Sequence, residues 1–157
     1  MYVTDVLDTS YHLWVDVRVR FRDCDPMGHV NNAVYLTYLE MARTVYWKAI
    51  FHVDNFKNVN FILARAEVDY RSPAVVNDQL RVYIRAGELR RSSFDFHYII
   101  WNLSRHVTAV TARTVQVIYD YTLRKPTPIT PAMRERIHEF EKTGIIPESP
   151  VDNVTQG

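Results

Sequence analysis

From Leu13 to Arg22 apolar and polar residues alternate one for one: Leu13, Val15, Val17, Val19 and Phe21 on one side, Trp14, Asp16, Arg18, Arg20 and Arg22 on the other. Alternation of this kind predicts a half-buried strand. The pattern then changes. From Ala33 to about Phe51 the polar residues Thr37, Glu40, Thr44 and Lys48 recur at spacings of three, four and four, which at ~3.6 residues per turn is one narrow stripe along a helix. Apart from Arg43 at the edge of that stripe, the helix is apolar, so it needs cover on nearly every side, and the chain supplies mainly strands to provide it.

Four further runs have strand character. Phe61–Arg71 places Ile62, Ala64, Ala66, Val68 and Tyr70 on one face; Leu80–Leu89 alternates through Leu80, Val82, Ile84 and Ala86; Ser93–Leu103 does so through Phe94, Phe96, Tyr98 and Ile100; and Val107–Tyr121 is long and rich in Val and Thr. Arg90, Arg91 and Ser92 fall at a hairpin tip, and Asn102–His106 makes the next turn. Connections this short between successive strands predict an antiparallel sheet. A polar loop covers residues 52–60. The proline-rich TLRKPTPITP precedes a short helix from Pro131 to about Lys142, which Thr130 caps and Gly144 ends. Residues 1–12 are a loose lead-in, and Ile145–Gly157 a mobile tail.

Strand, long helix, four strands and a minor helix make an α+β layout: a five-stranded antiparallel sheet wrapped around one long central helix. A chain of 157 residues is one domain, with a core over about 13–125. A curved sheet leaves exposed edges, and pairing with a second copy covers them, which predicts a homodimer or homotetramer. With 19 Lys plus Arg against 18 Asp plus Glu, neither a nucleic-acid surface nor an acidic tail is indicated. No apolar run approaches the ~20 residues of a membrane span, and the first residues lack the basic start and apolar core of an export signal. Cys24 is the only cysteine, which excludes an internal disulfide and fits a reducing, cytoplasmic setting.

The chemistry concentrates between strand and helix, in DCDPMGHVNN. Pro26 and Gly28 form turns, and Asn31 or Asn32 caps the helix. Asp23, Asp25 and His29 then lie beside the positive end of the helix dipole, where free backbone N–H groups can hold a carboxylate or a developing oxyanion. Asp23 suits a turn or an ion pair with nearby arginines, and Cys24 an inert small residue. Glu40, with Arg43 three residues on, is either a base or half of a helix-surface ion pair. Arg90, Arg91, Ser92 and Ser93 offer cations and hydroxyls suited to phosphates, or a solvated hairpin tip.

DCDPMGHVNN, the following YLTYLEMAR and this order of elements resemble the hotdog-fold acyl thioesterases, in particular the 4-hydroxybenzoyl-CoA thioesterase family; AEVDYRSPA, ELRRSSF and RTVQVIYD are weaker likenesses. The resemblance implies a hotdog fold and hydrolysis of an acyl or aroyl thioester of coenzyme A, with no cofactor and no metal. Asp25 falls on that family's catalytic carboxylate, a nucleophile or a general base, and the N–H of Asn32 on its oxyanion donor. In plant-type acyl carrier protein thioesterases His29 has a counterpart, whereas the asparagine of that arrangement is Met27 here. Some hotdog enzymes use a helix glutamate, which makes Glu40 a rival to Asp25. Arg90–Ser93 would meet the phosphates of coenzyme A, and Tyr35, Tyr38, Tyr46 and Trp47 are candidates for closing an acyl tunnel. The alternatives are an acyl carrier protein thioesterase and a hotdog domain that binds acyl-CoA without hydrolysing it.

Overall fold

The computed structural model describes residues 10–54 and 59–149. Its elements are β1 (Leu13–Arg18), α1 (Asn32–Phe51), β2 (Phe61–Tyr70), β3 (Gln79–Leu89), β4 (Ser93–Asn102), β5 (Val107–Asp120), β6 (Lys125–Pro126) and α2 (Pro131–Thr143). The main strands form one antiparallel sheet in the order β1-β3-β4-β5-β2. With α1 packed against it, this is the hotdog arrangement. The expected apolar faces of β3 and β4 are buried, and they meet Tyr38, Leu39, Ala42, Tyr46, Trp47 and Ile50 of α1. Aromatic rings dominate the C-terminal half of that contact: Trp47 stacks on Phe94 at 5.6 Å between ring centroids and meets Phe61 edge-on at 4.9 Å. Truncating a ring so enclosed typically costs about 3–5 kcal/mol.

Two expectations change. The alternation through Phe21 does not continue as strand. β1 ends at Arg18, Val19 is still buried, and a single 3₁₀ turn over Phe21–Asp23 leaves Phe21 87% exposed. The cause is local, because the Asp23 carboxylate accepts from the Arg20 backbone N–H at 2.9 Å, and such side-chain-to-backbone bonds compete with strand continuation. Nor is α1 wrapped on all sides. Leu36, Thr37, Glu40, Met41 and Val45 stay exposed, as do Ile62, Ala64, Ala66 and Tyr70 of the edge strand β2. Among the described residues there is one sheet, and it covers one side of the helix.

At its other end the sheet is closed by the C-terminal helix. β1 stops opposite Ile84, and two residues further along β3 the N–H of Ala86 donates to Glu141 Oε1 on α2 at 2.7 Å. The same oxygen accepts from the Tyr46 hydroxyl at 2.6 Å. Burial raises the Glu141 carboxyl above its ordinary range despite these bonds. Thr130 and a left-handed Gly144 cap α2 as expected, while the two-residue strand β6, paired with β5, forms within the proline-rich loop.

The start of the expected tail is held in place: His52 Nε2 donates to Pro147 O, and Arg136 Nη2 to Glu148 O at 2.9 Å. The end of the lead-in is packed too, with Tyr11 edge-on to Tyr83 and His12 bonded to Glu141 O. The rest of both segments, residues 1–9 and 150–157, lies outside the described residues, as does 55–58 of the loop after α1. Among the described residues no helix is long and apolar enough to cross a membrane.

Candidate active site

The segment DCDPMGHVNN folds as a tight turn set on the end of α1. Asp25 N donates to His29 O at 2.7 Å and Gly28 N to Asp25 O at 3.0 Å; Gly28 has φ +84°, a conformation that costs side-chain-bearing residues. Val30 N donates to Ala74 O at 2.9 Å and ties the turn to the chain entering β3. The Asn31 side chain caps α1 by accepting from Ala33 N at 2.9 Å.

The two aspartates of this turn have opposite environments. Asp23 is 3% exposed and accepts from Arg20 Nη2 and from the Tyr38 hydroxyl, each at 2.9 Å. Burial raises its pKa, but the hydrogen bonds from Arg20 and Tyr38 outweigh that and hold it below the ordinary carboxylate value. Asp25 is only partly buried. Its Oδ1 accepts from Met27 N at 2.9 Å and His29 N at 3.3 Å, while Oδ2 has no hydrogen-bond partner among the described residues.

Asp25 opens into a cleft of about 240 Å³ that also contains His29, Val30, Asn32 and Tyr35, with Tyr70, Arg71, Ser72 and Pro73 on the opposite wall. The Tyr70 hydroxyl donates to Asn32 O at 3.0 Å and pins that wall to the helix start. Of the first three α1 N–H groups, Ala33 and Val34 donate to Asn31. That leaves the N–H of Asn32 without an acceptor among the described residues. A carboxylate oxygen and a helix-end N–H facing one cleft can bind a carbonyl and bring a base or nucleophile to it. A larger groove, about 490 Å³ between α2 and residues 145–148, contains none of the predicted site residues.

The structure thus brings Asp25, His29 and Asn32 together, and within one chain it keeps the other predicted residues apart. Glu40 lies on the uncovered face of α1 and makes no ion pair with Arg43, which is buried instead. The Arg90–Ser93 hairpin is at the far end, since its neighbour Phe94 packs on Trp47 near the C-terminus of α1. There Arg90 is engaged by Asp95 and Glu88, and its Nε by Ser93 Oγ at 2.9 Å, whereas Arg91 stays exposed. Of the tunnel candidates, Tyr35 lines the cleft at Asp25, whereas Tyr38, Tyr46 and Trp47 are buried in the core. Burial raises the Cys24 thiol pKa, with the neighbouring Asp23 and Asp25 charges adding to it, consistent with an inert residue. Among the described residues no cluster of His, Cys, Asp and Glu could hold a metal ion. Sequence reasoning missed the wall formed by Tyr70–Pro73, although these residues lie in AEVDYRSPA, a segment already similar to the family.

Comparison with known proteins agrees with this fold. The model of the Thioesterase-like superfamily matches residues 19–137. The uncharacterized protein YsmA of Bacillus subtilis (strain 168) is 30% identical over 95 residues, 60% of this chain, and the chain spans 65% of that relative's length. The long-chain acyl-CoA thioesterase FadM of Escherichia coli (strain K12) is 28% identical over 131 residues, 80% of this chain and 97% of FadM. Among solved structures, a thioesterase from Thermus thermophilus, crystallised with coenzyme A and Zn, superposes with a TM-score of 0.76 at 37% identity, covering 84% of this chain and 96% of that one.

Proposed function

Because the chain belongs to the thioesterase-like superfamily and is a thioester hydrolase, we propose that it cleaves acyl-CoA to free acid and coenzyme A, with Asp25 as the acting carboxylate. The observation that carries this is the division of labour within Asp25. Two backbone N–H groups fix Oδ1, and Oδ2 is left for chemistry in a cleft that also holds the unused N–H of Asn32. The thioester carbonyl docks on that N–H, which lies at the positive end of the helix dipole. Oδ2 takes a proton from water as the water adds to the carbonyl carbon. The Asn32 N–H stabilises the resulting oxyanion, and collapse breaks the C–S bond and releases the thiolate, which takes up the proton. Direct attack by Oδ2, forming a mixed anhydride that water then opens, uses the same geometry. His29, which lines the same cleft and whose ring has no hydrogen bond among the described residues, orients the water in this scheme.

Coenzyme A as carrier is supported by FadM and by the ligand of the Thermus neighbour. The uncovered face of α1 and the free edge of β2 support a site completed by a second copy. In such a dimer Glu40 and the exposed Arg91 would act across the subunit boundary, Arg91 on the carrier's phosphates. A cytoplasmic location suits the single thiol. The test is thiol release from short, medium, long and aromatic acyl-CoAs by the wild type and by Asp25→Asn. Release by the wild type and its loss in a folded variant support the proposal; equal release by both refutes the role of Asp25.

A further inference from the structure

Four charged side chains are buried among the described residues: Asp23, Asp78, Asp95 and Arg43. Each aspartate faces an arginine: Asp23 with Arg20, Asp78 with Arg105, Asp95 with Arg90 and Arg113. Arg43, 7% exposed, has no carboxylate within ion-pair distance among the described residues, and segment 55–58 after the helix contains neither Asp nor Glu. Its one hydrogen bond there is a long one, from Nη1 to the Tyr98 hydroxyl at 3.4 Å. Tyr98 bonds in turn to Thr114 Oγ1 at 2.8 Å, and Gln116, which also donates to Thr114, keeps Oε1 unpartnered. A guanidinium has five donors; Arg43 Nε and Nη2 make no hydrogen bond among the described residues and are not sealed from solvent, so they can donate to a group in the space beside them.

Those donors border a cleft. Arg43, with Glu40 and Thr44 on α1 and Phe61, Ile62 and Leu63 on β2, lines a space of about 380 Å³ whose walls are mainly apolar. Arg43 follows Asn32 by eleven residues, close to three turns at ~3.6 residues each and about 16 Å along the axis. It therefore lies on the same side of the helix as the proposed oxyanion donor. An apolar groove over Thr37, Met41 and Val45 shares Glu40 and Thr44 with this cleft and lies further round the uncovered face of the helix.

Building on the thioesterase reading, we infer that this second cleft receives the far end of the acyl group, and that Arg43 donates to an oxygen carried there. The preferred substrate is a medium-chain acyl thioester bearing a hydroxyl or carbonyl near its terminus. A hydroxyl can also donate to Glu40 on the cleft wall, whereas a terminal carboxylate meets the like charge of that residue. The apolar walls suit the methylenes, and the oxygen relieves the unmet donors of Arg43.

The test compares kcat/KM of the wild type for dodecanoyl-CoA, ω-hydroxydodecanoyl-CoA and the mono-CoA ester of dodecanedioic acid, with hexanoyl-CoA as an ester too short to reach Arg43. The ω-hydroxy ester is expected to exceed dodecanoyl-CoA by about ten-fold or more, with the diacid ester below it. Arg43→Met should abolish or reverse that preference, each rate being taken relative to hexanoyl-CoA turnover by the same variant. Equal rates for the hydroxylated and plain esters in the wild type overturn the inference without any variant having to fold, as does a preference that survives in Arg43→Met. No hydrolysis of any ester, hexanoyl-CoA included, overturns the underlying reading as well.

Discussion

Two polar tips of this molecule look alike in sequence and differ in what they leave free. The turn from Asp23 to Asn32 and the hairpin from Arg90 to Ser93 both carry charges beside hydroxyls or amides, and both were expected to meet substrate. In the turn, Asp23 fixes the backbone with Arg20 and Tyr38, and among the described residues one oxygen of Asp25 and the N–H of Asn32, in the same cleft, have no partner. In the hairpin, Arg90 is engaged by Asp95, Glu88 and Ser93, while α2 clasps the backbone through Arg134 Nη2 to Arg90 O at 2.8 Å. Residue type marks where chemistry is possible; the hydrogen-bond partners decide where it is available.

The sharpest way to break the comparison is Asp25→Asn, which keeps the acceptor for Met27 N but removes the base. It should lower kcat by about 10²–10⁴-fold with an unchanged thermal transition, so steady-state thiol release and a melt together decide it. Asp23→Ala should do the reverse, costing about 3 kcal/mol in urea unfolding by stripping the partner from Arg20 and Tyr38. Because the folded Asp23 pKa is depressed, its contribution is present above the unfolded carboxylate pKa and is lost as pH falls through the folded value. The acid limb of the wild-type stability curve should therefore flatten in the variant.

Smaller effects separate the two arginines of the hairpin. Arg91→Glu should raise KM for acyl-CoA by about two- to five-fold, the worth of one exposed ion pair, with kcat unaltered and the difference fading in high salt. An unchanged KM would remove the hairpin from carrier binding. Least of all, Glu141→Gln should raise the melting temperature by a degree or two at neutral pH. The folded Glu141 pKa is raised, so its stabilising contribution is full below the unfolded pKa and lost as pH rises through the folded one. The gain of the variant should vanish below about pH 4, where Glu141 is neutral in both states.

Strong periodicity made most of the fold legible. β3, β4 and α2 lie where their patterns place them, because each has one face that only burial can satisfy. Phe21 misled because the alternation read through it took no account of Asp23 two residues on. β2 and the outer face of α1 misled for another reason: their apolar residues stay exposed in the single chain, and it is the proposed second copy that would cover them. The turn at Asp25 was readable from its glycine, its capping asparagine and its family likeness. Arg71 and Tyr70 were not, since they sit at the end of an ordinary strand and become part of the cleft only through the bond from Tyr70 to Asn32. Arg43 was read as a helix-surface residue because spacing places it beside Glu40, yet the helix turns it inward.

The acceptor that Glu141 offers Ala86 does the work of a missing strand. A chain cut before Pro131 would keep every residue proposed for hydrolysis and still expose the open margin of β3, an invitation to foreign strands. A truncated form should therefore fail by precipitating from solution before it fails as a catalyst.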